Sequence, residues 1–235
     1  IRKNLKSHAL ISVYDKTDLK KICSSLTNHN ISIISTGTTA KKIKLLGFNC
    51  KEISNLTKFK EILDGRVKTL NSKIHASILF KRNKNTHIKT FNQINFPMID
   101  YVIVNFYPFE KIKEKEGLRK KIEMIDIGGP ALVRSASKNF DFVTTICKTI
   151  YYNTFAKELD KNNGKTTLSF REKMAKQNFK LTSNYDLSIF NWFNKDKENK
   201  NKIKIKYGEN PNQKAFFIKK SKSNIISSQL SGKEI

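Results

Sequence analysis

The chain has 235 residues, enough for one large domain or for one domain and the start of another, and its 38% hydrophobic content can furnish a core. A mean hydropathy of −0.52, with no run near the roughly 20 apolar residues that cross a bilayer, argues against a membrane protein. Three scattered cysteines, Cys23, Cys50 and Cys147, argue against a disulfide framework and fit a reduced compartment, so the cytoplasm is expected.

From the N-terminus, Ile1 to Lys6 contain no apolar run, and no secretory signal is expected. Ala9 to Val13 read as a strand, followed by a helix with Leu19, Ile22, Cys23 and Leu26 on one face. Ile31 to Ile34 read as a second strand, broken at Ser35-Thr36-Gly37-Thr38-Thr39. A second helix then carries Ala40, Ile43, Leu45 and Leu46 and stops at Gly47. A third strand is expected over Cys50 to Ile53. This alternation predicts consecutive strand–helix–strand units on a parallel sheet. Tyr101 to Val104 is a further buried strand. Ile127-Gly128-Gly129-Pro130 opens a helix through Lys138, and Phe142 to Cys147 forms another strand. A long helix from about Thr166 to Phe193 places Phe170, Met174, Phe179, Tyr185, Ile189 and Phe193 in the core. Asn194 to Lys202, rich in Lys and Asn, reads as a linker before an extended segment at Ile203 to Tyr207.

The charge is the loudest compositional feature: 46 basic against 20 acidic residues, a net +26. Arginine, which supplies bidentate and stacking contacts to nucleic acids, is confined to Arg2, Arg66, Arg82, Arg119, Arg134 and Arg171. The lysines are dispersed and interleaved with acids. The expectation is a solvated basic surface that favours anionic ligands, without a specific nucleic-acid partner.

Three polar segments fall where a parallel sheet presents a site, beyond the carboxyl ends of its strands. Ser35-Thr36-Gly37-Thr38 combines free amides, hydroxyls and a helix N-terminus, a cradle for phosphate; its ordinary alternative is a capped turn. Asp64-Gly65-Arg66-Val67-Lys68-Thr69 groups a guanidinium, an amine and a hydroxyl suited to an anion; its alternative is a solvated loop. Asp126-Ile127-Gly128-Gly129-Pro130 sets a carboxylate before two glycines whose amides can approach a ligand and stabilise an oxyanion. Arg134 and Lys138 share one face of the helix that follows. His8, His29, His75 and His87 show no metal-ligand spacing, so no metal site is expected, and His75 reads as a hydrogen-bonded structural histidine.

In order, the segments Ala9–Thr17, Ser35–Ala40, Asp64–Leu70, Asn105–Phe109, Ile125–Pro130, Val133–Asn139 and Tyr207–Pro211 resemble the bifunctional purine family that combines aminoimidazole carboxamide ribonucleotide transformylase with IMP cyclohydrolase. The resemblance implies a methylglyoxal-synthase-like α/β fold, a parallel sheet flanked by helices, over residues 1–195, with 196–235 as linker and the start of a transformylase domain. It implies dehydrative closure of the formylated carboxamide ribonucleotide to IMP, in the cytoplasm, with a small purine ribonucleotide as substrate, a homodimer in the full-length family and no membrane partner. Phosphate and ribose are expected on Ser12, Lys16, Ser35, Thr36, Gly37, Thr38, Arg66 and Thr69. The reacting end is expected near Lys68, Asn105, Tyr107, Asp126, Gly128 and Lys138, with Lys138 as principal proton shuttle, Lys68 and Tyr107 assisting, and Asp126 orienting the carboxamide. No cofactor is expected for ring closure; formyl-tetrahydrofolate serves only the transformylase domain, whose active site is not expected before Ile235. The alternatives are a methylglyoxal-synthase-like phosphate-binding enzyme and a non-catalytic nucleotide-binding regulatory module.

Overall fold

The computed structural model describes residues 6–111, 117–200, 202–205 and 215–218. They divide into two compact units, Ile1–Tyr185 and Asp186–Ile235. The first unit contains a five-stranded parallel sheet in the order β3-β2-β1-β4-β5, with β1 (His8–Val13), β2 (Ser32–Ser35), β3 (Cys50–Glu52), β4 (Ile99–Asn105) and β5 (Thr144–Ile146). The helices of this unit are α1 (Leu19–Asn28), α2 (Gly37–Leu45), α3 (Ile53–Thr57), α4 (Ser72–Leu79), α5 (Asn85–Ile94), α6 (Leu118–Glu123), α7 (Gly128–Lys138), α8 (Tyr152–Lys161) and most of α9 (Leu168–Lys200).

Alternation along β1 explains the layering. Ala9, Ile11 and Val13 join one cluster, to which α1 gives Leu19, Ile22 and Leu26, and α8 gives Tyr152, Phe155 and Leu159. Leu10 joins the opposite cluster, filled by Ile74 and Ile78 of α4 and by Leu132, Val133 and Ala136 of α7. Both faces of the sheet are therefore covered, which is why its strands read as nearly continuous apolar runs. The strand order reverses between β1 and β4, so the sheet's switch point lies beyond Val13 and Asn105, paired in register.

Several expectations need correcting. Leu45 is 82% exposed, not core, because it lies two residues from buried Ile43 and so on the other side of α2. Ile53 opens α3 instead of extending β3, and the strand expected over Phe142 to Cys147 is only Thr144–Ile146. On α9 the buried stripe runs Phe170, Met174, Asn178, Thr182, Tyr185, leaving Phe179 and Phe193 exposed. Two polar side chains belong to that stripe because the Asn178 amide donates to Thr145 O at 2.9 Å and to Ser137 Oγ at 3.3 Å, and the Thr182 hydroxyl donates to Phe179 O at 3.1 Å. The linker read over Asn194 to Lys202 is helical through Lys200. That segment lacks Gly and Pro, and Lys and Glu are good helix formers that need no burial.

Among the described residues of the second unit, β6 (Lys202–Ile205) pairs antiparallel with β7 (Ala215–Ile218). Tyr207–Pro211 and residues 219–235 lie outside the described residues, as does any reading placed on them. No helix among the described residues is long and apolar enough to cross a membrane.

Helix α4 carries a local test. The Asn71 side chain accepts the Lys73 amide at 2.9 Å and caps it. Asn71→Ala should lower unfolding free energy by about 1 kcal/mol, measured by urea denaturation.

Candidate active site

Most of the residues expected to act converge beyond the carboxyl ends of β1, β2 and β4. Ser12, near the end of β1, meets Thr36, just past β2, through their hydroxyls at 3.1 Å. Thr36 precedes α2 without a side-chain cap, so the first amides of that helix remain available to an anion. Thr39 Oγ1 donates to Val13 O at 3.0 Å and ties this turn to β1. Gly37 has φ +37°, and a Cβ there would collide with Lys68 Nζ, so the ammonium rests directly against the helix N-terminus.

The adjacent residue reaches a second helix end. A Cβ at Gly128, the first residue of α7, would lie 2.8 Å from Thr69 Oγ1. Lys68 and Thr69, consecutive in one loop, thus bridge the N-termini of α2 and α7. Two positive helix ends and an ammonium in one neighbourhood are a strong field for a phosphorylated ligand. Lys68 also pairs with Glu61 at 2.7 Å, and this bond and the lysine charge hold the Glu61 carboxyl below its usual range. Arg66, largely exposed, pairs with Glu123 at the end of α6.

Asp126 accepts the Gly129 amide at 2.8 Å, and its own amide donates to the Tyr185 hydroxyl at 2.8 Å. Burial pushes its carboxyl above the ordinary value, while the Gly129 and Tyr107 amides pull it back. Tyr107 stands edge-on to Tyr14, ring centroids 5.4 Å apart. Burial raises its phenol, and the charges of Asp126 and Glu61 add to the rise. At neutral pH it is therefore a donor.

Some expected ligands have internal duties. Ser35 is fully buried and its hydroxyl donates to Ile11 O at 2.6 Å. The Asn105 carboxamide accepts the Tyr14 and Asp15 amides at 2.7 and 2.9 Å and donates to Asp15 O at 2.9 Å. Lys16 Nζ turns back onto the carbonyls of Tyr14 and Val13 at 3.2 and 3.5 Å. Thr38 is exposed. These groups shape the loops that carry the free amides.

Lys138 is not brought to the cluster. It closes α7, ten residues beyond Gly128 (128 to 138), which at 1.5 Å per residue is about 15 Å away. It lines a cavity of about 590 Å³ with Arg134, Phe140, Glu172, Lys176 and Phe179. His75, read as structural, shares a hydrogen bond with Ser135 Oγ at 2.9 Å. Among the described residues, no cluster of three or more His, Cys, Asp or Glu side chains could hold a metal ion.

Glu61, Tyr14 and Tyr185 belong to the site's surroundings without having been expected there. Glu61 sits outside any motif, and Tyr185 read as one core aromatic among several; only Tyr14, inside the Ala9–Thr17 segment, carried a signal.

A family described as "AICARFT/IMPCHase bienzyme" matches residues 136–235, and one described as "MGS-like domain" matches residues 18–131. The bifunctional purine biosynthesis protein PurH of Bradyrhizobium diazoefficiens is 40% identical over 97% of this chain and 46% of its own length. PurH of Caldicellulosiruptor bescii is 40% identical over 98% of this chain and 48% of its length. The chain spans about half the length of these curated relatives. The crystal structure of ForH superposes with a TM-score of 0.72 at 26% identity, covering 80% of this chain and 99% of that one.

Proposed function

The chain belongs to the AICARFT/IMPCHase bienzyme family of purine biosynthesis, and from that membership we propose that its strand-end cluster closes the second purine ring. The substrate is the formylated aminoimidazole carboxamide ribonucleotide and the product is IMP. The observation that carries this reading is the bridging of two helix N-termini by Lys68 and Thr69, with Asp126 and Tyr107 alongside.

In the reaction the carboxamide nitrogen bonds to the formyl carbon, whose oxygen becomes a carbinolamine hydroxyl. One carboxamide proton and the formamide proton leave with that oxygen as water. The balance is complete without a metal, redox carrier or folate. An amide nitrogen is a weak nucleophile, so proton removal and oxyanion stabilisation matter most. Both reacting groups sit on one ring, so the substrate supplies much of the proximity itself.

The first turn of α2, Ser12, Lys16, Ser35, Thr36, Thr38, Arg66 and Thr69 hold the phosphate and ribose, directly or by shaping the loop. Asp126 orients the carboxamide, beside Asn105. The Gly128 amide faces the developing oxyanion, and Lys68 and Tyr107 exchange protons with the departing water. Lys138 reaches this chemistry only from a second copy of the chain, because α7 holds it a helix length away from the cluster in its own. A homodimer is therefore part of the proposal.

The direct test is incubation of the purified chain with the formylated ribonucleotide while IMP absorbance is followed. No IMP from a folded chain overturns the reading and leaves the non-catalytic nucleotide-binding module. Within it, Arg66→Ala should raise KM about tenfold with kcat nearly constant, because an exposed phosphate contact holds ground and transition states alike. Steady-state kinetics check this; an equal fall in kcat would move Arg66 into the chemistry.

A further inference from the structure

Tyr185 lies on α9, remote in sequence from every motif that forms the cluster, yet its hydroxyl sits inside the turn that presents Asp126. It accepts the Asp126 amide at 2.8 Å and donates to Met124 O at 3.1 Å, clasping the chain on both sides of Ile125. Its ring is only 8% exposed. It packs against Phe106 with centroids 5.1 Å apart and against Phe109 at 6.3 Å. One side chain therefore touches both loops that carry reacting groups: Met124–Asp126 through the hydroxyl, and Phe106–Phe109, which includes Tyr107, through the ring. The two loops also meet directly, where the Tyr107 amide points to the Asp126 carboxylate.

We propose that Tyr185 is a positioning residue of this site, its hydroxyl fixing the height and direction of Asp126 and its ring fixing the loop of Tyr107. The proposal rests on the ring-closing reading of the cluster. A ring buried among phenylalanines would pack as well without a hydroxyl. A hydroxyl both accepting and donating within one turn adds two bonds that specify backbone placement. An α9 helix docked on the sheet thereby sets the position of a carboxylate in the loop that joins α6 to α7.

Tyr185→Phe separates positioning from packing, because it keeps the ring and removes only the two bonds. Expected is a kcat loss of about 10–100-fold with KM within about threefold, the signature of a misplaced reacting group. The second readout is independent of turnover: the ¹³C carboxyl resonance of Asp126, followed against pH. The groups facing that carboxylate are the Gly129 amide of α7 and the Tyr107 amide and phenol, while the Tyr185 hydroxyl of α9 accepts the main-chain amide of the same residue. With the turn slackened, the amides that favour the charged form release it, and its midpoint should move upward by a readable fraction of a pH unit. Fluorotyrosine at position 185, which keeps ring and hydroxyl while weakening the acceptor, should shift it less in the same direction, and substitutes if Tyr185→Phe does not fold. If wild-type protein makes no IMP, the ring-closing reading fails while the resonance still tests Tyr185. If the Asp126 midpoint, and kcat where it can be measured, are unchanged in Tyr185→Phe, the side chain only packs and the proposal is overturned.

Discussion

Asp126→Asn should lower kcat about 10²–10³-fold while leaving the fold intact, the range expected when a group that orients the reacting amide loses its charge. The substitution is discriminating because of what Asp126 does locally. One carboxylate oxygen accepts the Gly129 amide at the start of α7, and an Asn carbonyl oxygen can accept the same bond. A purely structural carboxylate would thus be replaced with little consequence for activity. The pH dependence adds a second check with opposite sign. Burial raises the carboxyl from the ordinary 3.8, so the folded chain holds this proton to higher pH than the unfolded chain. Stability from this group is greatest below the unfolded value. It falls as pH rises through the window from there to the raised folded value, and is constant above. Activity needs the carboxylate and should rise across the same window. Thermal melts of the wild type and Asp126→Asn against pH should differ by this slope, over the slope that both share from other groups such as Glu61, whose lowered carboxyl acts in the opposite sense. Wild-type kcat in the variant would remove Asp126 from the chemistry.

Mixing two inactive variants should restore activity. If Lys138 acts from a second copy, Asp126→Asn and Lys138→Met are each impaired as homodimers. A hybrid of the two has one site with both lesions and one with none. Random reassortment of subunits should then recover about a quarter of wild-type kcat, from half the dimers each with one intact site. The size of the effect follows from α7, whose length places Lys138 and Gly128 at opposite ends. Co-expression with two affinity tags isolates the hybrid, and the doubly tagged fraction, in which every dimer has one intact site, should show about half of wild-type kcat. Impaired homodimers without recovery would show that Lys138 does not act across subunits. A Lys138→Met homodimer with wild-type kcat would pass the shuttle to Lys68 and Tyr107.

Which parts were legible beforehand depends on the range of the interaction. The strands around Leu10, Ile34 and Val102 and the helix from Gly128 to Lys138 were readable because burial on one or both faces imposes a period on neighbouring residues. The turn at Ser35–Thr38, proposed above as a phosphate cradle, was readable as a turn because a helix start, a glycine and hydroxyls are themselves a local pattern. The buried stripe of α9 was only half legible: Asn178 and Thr182 break its apolar period, and they are core because Asn178 bonds to β5 and α7 while the Thr182 hydroxyl is satisfied by Phe179 O of its own helix. Likewise the composition of Asn194 to Lys202 shows that nothing there needs burial, but not that a helix already nucleated upstream runs on through it.

The sequence by itself determined the kind of sheet, the order of its elements and the chemistry of the loops beyond its strands, since these follow from periodicity and residue type over short spans. Only the tertiary structure decided how those loops share the work. It set Lys68 and Thr69 against two different helix ends, spent Ser35 and Asn105 on internal bonds, brought Tyr185 to Asp126 from 59 residues away, and held Lys138 a helix length from the rest. Each outcome depends on where a rigid helix docks on the sheet, and docking is fixed by packing among residues far apart in the chain, which no local pattern encodes.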